Sequence, residues 1–146
     1  MPATALRVVL LAACATALAS AQTPAAIRDL LGSMASSLTN AEPESFMRPI
    51  DRNMPGYDDL KRDITAMVAA ATVACSIEPL RDSGDDTHHQ VDLDWLLEIS
   101  SIQQAGPLVR RRETIHCVLE KRGKKWHITS LKPLSFFAPP NFTPSQ

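Results

Sequence analysis

One change of rhythm governs what this chain can fold into. Up to about residue 71 the apolar residues recur at helical spacing, and from Thr72-Val73 onward they recur every second residue. Ile27, Leu30, Leu31, Met34 and Leu38 form one helical stripe, and Leu60, Ile64, Met67, Val68 and Ala71 form another. Val73, Cys75 and Ile77 then open a run of alternation that continues through VDLDWLLEIS, residues 91–100. A stripe of period 3.6 buries one side of a helix, and a period of two buries one face of a sheet. Helices first and sheet second is the α+β order.

The punctuation agrees with the rhythm. Thr23-Pro24 places a cap-type residue before a proline and predicts the start of the first helix, with Asn40 as its stop. Pro43 to Met47 reads as a short second helix that ends before Pro49. Residues 49–56, PIDRNMPG, read as loop, and Asp58 is the expected cap of the third helix. Ser83-Gly84-Asp85-Asp86, Ala105-Gly106-Pro107 and Arg122-Gly123-Lys124 read as turns. They separate four strands, the third over Arg111 to Arg122 and the fourth over Lys125 to Leu131. Short turns between consecutive strands predict an antiparallel four-stranded meander. Pro133 closes the last strand, and PLSFFAPPNFTPSQ reads as a trailing proline-rich segment.

The first residues read as an address. MPATALR carries one charge, at Arg7, then VVLLAACATALA runs apolar and Ala19-Ser20-Ala21 supplies a cleavage pattern before Gln22. This predicts a secretory signal peptide over residues 1–21. The apolar run is too short for a permanent membrane span. Leu11-Ala12-Ala13-Cys14 offers a competing reading, a lipoprotein signal whose cysteine becomes a lipid anchor. Both readings take the protein out of the cytoplasm, to the periplasm or beyond. The domain then spans residues 22–138 and the proline-rich tail 139–146. Without Arg7, 14 basic and 16 acidic side chains remain, a net charge of -2. No basic excess or aromatic interleaving points to nucleic acid.

Alternation assigns the faces of the sheet. Val91, Leu93, Trp95, Leu97 and Ile99 share one face with Ile115, Cys117 and Leu119 of the next strand. Asp92, Asp94, Leu96 and Glu98 share the other with Arg110, Arg112, Thr114, His116, Val118 and Glu120. The acids therefore face Arg112 and His116 across the strands. Cross-strand pairs of opposite charge finish an open sheet face, and they account for these carboxylates without catalysis. Leu96, Val118 and Leu131 are expected among the outer charges. Asp85-Asp86-Thr87-His88-His89 holds metal-type side chains, but neighbouring histidines on a strand point to opposite faces, so the segment reads as a polar hairpin tip. No metal or cofactor is implied. Cys75 and Cys117 lie on the first and third strands. At ~4.8 Å per strand they are ~9.6 Å apart, beyond the ~7 Å Cα separation a disulfide tolerates. Two buried free thiols are expected. Arg110-Arg111-Arg112 and Lys121-Arg122-Gly123-Lys124-Lys125 read as solvated strand ends and turns.

The helix order and meander, with PGYDDLKRDITAMVAAATVACSIEPL, VDLDWLLEIS and KKWHITSLKPLSFFAP, resemble the nuclear transport factor 2-like superfamily. Its relatives include ketosteroid isomerase, scytalone dehydratase and SnoaL-like polyketide cyclases. The resemblance covers about residues 24–138. It implies a cone: helices closing over the concave face of a strongly bent sheet, with a pocket at the wide end and homodimerisation through the outer face. Enzymatic members place polar groups inside that pocket. Here the inward list is Val73, Cys75, Ile77, Leu93, Trp95, Leu97, Ile115, Cys117, Leu119, Trp126 and Ile128, and it holds no acid, base or amide. Catalytic candidates are then left off the sheet, at Asp51, Tyr57 and Asp58. Trp95, Trp126, Leu93, Leu97, Ile115, Cys117, Phe46 and Tyr57 are the expected contacts of a small apolar ligand, with Phe136 and Phe137 at the rim. Two functions follow: a non-catalytic binding or dimeric accessory module outside the cytoplasm, or an isomerase, dehydratase or cyclase of the ketosteroid isomerase type.

Overall fold

The computed structural model describes residues 23–103 and 108–142. The expected signal peptide, Cys14, the Ala105-Gly106-Pro107 turn and the last four residues lie outside the described residues. Helix α1 spans Ala25–Thr39, α2 Pro43–Met47 and α3 Tyr57–Ala70. Strands β1 (Ala71–Gly84), β2 (His88–Ser101), β3 (Val109–Arg122) and β4 (Lys125–Lys132) follow, then a single 3-10 turn over Leu134–Phe137. The sheet is antiparallel in the order β1-β2-β3-β4, the expected meander.

Two helix starts differ from expectation. α1 is capped by Pro24 rather than Thr23, with the amides of Ile27 and Arg28 donating to the Pro24 carbonyl. α3 starts one residue before Asp58. Its cap is Gly56 at φ 80°, and Asp58 and Asp59 occupy the first turn, where carboxylates favour the helix dipole. A side chain at Gly56 would be strained and would strike Leu134, so glycine is required there.

Loop 49–56 is more structured than its composition suggests. Ile50 bridges Ile128 in parallel, the Asp51 amide donates to the Ile128 carbonyl, and the Ile128 amide donates to the Pro49 carbonyl. The loop thereby covers part of the β4 edge, which would otherwise expose unpaired backbone. Ile50 and Met54 are buried with the helical stripes.

Two register shifts decide which side chains enter the core. On β1 the ladder slips between Pro79 and Arg81, leaving Leu80 as the extra, exposed residue. Beyond the slip Arg81 pairs Asp92 and Asp82 pairs Val91, so Asp82 is carried to the inner face. On the β3–β4 ladder, Leu119 pairs Ile128 while Val118 pairs Ser130. This places Leu131 opposite Cys117, on the inner face, where it is buried. Strict alternation had put it outside.

Candidate functional site

The inner face is floored by aromatic rings. Trp95 meets Phe137 at a centroid distance of 4.9 Å and Phe46 at 6.2 Å, both edge to face. Phe136 packs edge to face against Phe137 at 5.1 Å. Trp95, Phe46, Phe137, Leu93, Leu97 and Ile115 have no accessible surface, and Cys117 has almost none. Phe136 and Phe137, just after Pro133, are therefore part of the core rather than of a loose tail. Arg111, from the basic run read as solvated, turns inward and donates to the carbonyls of Phe136 and Ala138, at 3.0 and 2.5 Å. The Trp95 indole donates to Cys75 Sγ at 3.2 Å.

The two cysteines are unlinked as expected, with a larger separation, but only Cys117 is fully buried and Cys75 is half-buried. Cys75 pairs Leu97 of β2 and Cys117 pairs Val91, so the two are also six residues apart along β2, ~20 Å at ~3.3 Å per residue. Both are free thiols, and burial pushes each up to about 12.

The inner face is not wholly apolar. His89 Nδ1 and Asp82 Oδ1 share a hydrogen bond of 2.5 Å, with side chains 7% and 3% exposed. The His89 ring meets Trp126 edge on at 5.2 Å. Asp82 Oδ2 is buried with no partner among the described residues. Sequence reasoning missed this pair, although His89 lies two residues before Val91 and so shares its face. Pro79 was the readable sign of the bulge that turns Asp82 inward.

The off-sheet candidates are occupied elsewhere. Asp51 binds Arg122 at 2.6 Å and accepts from the Asn53 amide at 2.8 Å. The Asn53 amide, then Arg122, hold its carboxyl below the usual range, which makes it a weaker base. Tyr57 is half-buried against the core at the start of α3, and Asp58 is exposed in the same turn. Among the described residues no group of three or more His, Cys, Asp or Glu is placed to hold a metal.

On the outer face, the carboxylates of β2 are paired as expected. Asp94 binds Arg112 at 2.6 Å, Asp92 binds His116 at 2.6 Å and Glu98 binds Arg110 at 3.6 Å. Leu96 and Val118 are half-buried among them.

Outside the cone lies a groove of about 520 Å³ between α1, the loop after α2 and the β3–β4 turn. Leu30, Met34, Pro49 and Trp126 form its apolar floor. Arg48, Lys124, Lys125 and His127 stand along it.

Neither a protein-family model nor a curated protein matches the sequence. Solved structures do. A protein of unknown function from Mycobacterium tuberculosis matches with TM-score 0.61 at 11% identity, over 72% of this chain and 66% of that one. A candidate scytalone dehydratase from Novosphingobium aromaticivorans matches with TM-score 0.65 at 14% identity, over 73% and 78%. A nuclear transport factor 2-like protein of unknown function from Shewanella oneidensis matches with TM-score 0.58 at 12% identity, over 72% and 93%. The chain has the nuclear transport factor 2-like fold. At these identities the likeness is one of fold, which hosts many chemistries.

Within this cone, the expected ligand contacts separate into two sets. Trp95, Leu93, Leu97, Ile115, Cys117 and Phe46 meet one another in the packed interior. A ligand reaching Trp95 would have to displace Phe46 or Phe137. Trp126, at the end of the same face, borders both the Asp82–His89 pair and the outer groove.

Proposed function

We propose that this protein is a non-catalytic module of the cell envelope, acting by binding rather than by turnover. The observation that carries the reading is the packed floor of the cone: Trp95, Phe46 and Phe137 have no accessible surface. An acid–base enzyme needs a reacting atom within hydrogen-bond reach of its base, in a space that admits substrate. Asp51 faces Arg122 rather than such a space. Asp82 Oδ1 and His89 Nδ1 are engaged with one another behind Trp126. A small apolar ligand then contacts Trp126 from the groove side, where apolar floor and depth are available. The envelope address rests on the signal-type pattern of residues 1–21. The outer sheet face, with Leu96 and Val118 among paired charges, is the surface proposed for homodimerisation.

The test is a direct search for proton abstraction. The protein is incubated with enolisable ketones in deuterated water, and exchange beside the carbonyl is followed by NMR. No exchange above the buffer rate is expected. Catalysed exchange that disappears in His89→Gln or Asp51→Asn would replace this reading with the isomerase one.

A further inference from the structure

The groove beside Trp126 carries a charge pattern as well as an apolar floor. Arg48 lies just after α2, Lys124 lies on the β3–β4 turn and Lys125 opens β4, so the basic groups approach from two sides. Among the described residues no carboxylate lines the groove. Among the described residues none of these three side chains is in an ion pair, although ten such pairs occur elsewhere. Ser33 and Ser45 add hydroxyls. The whole chain has a net charge of -1, so this lip is a local excess of positive charge.

We infer that the groove binds a small amphipathic anion: an alkyl or aryl carboxylate, its tail on Leu30, Met34 and Trp126 and its head against Arg48, Lys124 and Lys125. This rests on the binding reading proposed above and adds the chemical class of the ligand. A carboxylate gains charge-assisted hydrogen bonds from such a lip, while the tail leaves water on the floor. The surroundings favour a single small anion over an anionic bilayer. The adjoining hollow shares Ser33 and Ser45 with the groove but carries the two acids Asp29 and Glu42 against one cation, Arg28. A charged membrane lying across this side would meet those acids too, whereas one carboxylate meets only the basic lip.

Titration calorimetry on the intact protein tests this with decanoate and decan-1-ol, which share a tail length and differ in the head. Decanoate should bind at least tenfold more tightly, and Lys124→Gln with Lys125→Gln should reduce its affinity to that of the alcohol. Raising the salt to 0.5 M should weaken decanoate several-fold and leave the alcohol unchanged. Equal affinities would overturn the anion preference and leave the binding reading standing. Binding of neither would overturn both. Sedimentation with phosphatidylglycerol-containing vesicles, together with no binding of decanoate, would overturn the inference in favour of a lipid surface. Both lysines are exposed, one on the turn and one at the first residue of β4, so the double variant is expected to fold, and its thermal midpoint reports whether it does.

Discussion

Asp82 meets His89 inside the cone because the β1 bulge turns it there. Leu80 is the extra residue in the slip between Pro79 and Arg81, and from that point Asp82 lies opposite Val91 rather than on the outer face. The 2.5 Å hydrogen bond between Oδ1 and Nδ1 then joins two nearly inaccessible side chains beneath the edge of Trp126.

That relationship makes the two residues energetically dependent. Asp82→Ala leaves a buried imidazole nitrogen without its partner, and His89→Ala leaves a buried carboxylate wholly unpaired. Each should destabilise the fold by about 2–3 kcal/mol. The double substitution should cost less than the sum by at least ~1 kcal/mol, read from urea unfolding of the four proteins. Additive costs would show that the two side chains do not share a bond.

The two thiols should be inert in the folded protein. Burial raises both to about 12, so little thiolate exists at pH 8. Alkylation by iodoacetamide at pH 8, followed by mass spectrometry, should leave Cys117 unmodified in the native state and modify both cysteines in guanidinium. A mass lower by two hydrogens, mapped to a Cys75–Cys117 link, would contradict the register of β1, β2 and β3.

Stability should fall in acid, and the sign follows from three carboxylates. The Asn53 amide and Arg122 lower Asp51, the Thr87 and His88 amides lower Asp85, and Arg112 lowers Asp94. A carboxyl lowered in the folded state stays charged while its unfolded counterpart takes up a proton. Its contribution is therefore complete above the unfolded value near ~4 and is lost as pH falls through the folded value. Urea midpoints should be flat from pH 7 to about 5 and decline below. Asp94→Asn should make that decline shallower, and an unchanged slope would remove Asp94 from the account of acid sensitivity.

Much of this fold was legible in the sequence, and the misses have common physical causes. The change from helical to alternating spacing gave the three helices and four strands, and the opposed charges of β2 and β3 gave the outer-face pairs. Alternation fails wherever a strand gains a residue. Asp82 and Leu131 were both carried inward by register shifts, one flagged by Pro79 and the other by nothing local in sequence. Phe136 and Phe137 sit among prolines that suggest a loose tail, yet two adjacent aromatics find burial against Trp95. Arg111 lies in a basic triplet, and only the carbonyls it anchors distinguish it from its solvated neighbours. The groove was invisible for a different reason. It is assembled from α1, the loop after α2 and the β3–β4 turn, which are distant in sequence and meet only in the folded chain.

Native mass spectrometry of the protein recovered from its own cell envelope tests the binding reading most directly. Wild type should carry an additional small mass that leaves on activation. Trp126→Ala should lose that mass, and Trp95→Phe, altered only in the packed interior, should retain it. A bare wild-type chain would contradict the reading, and a ligand kept by Trp126→Ala but lost from Trp95→Phe would place the site inside the cone instead of in the groove.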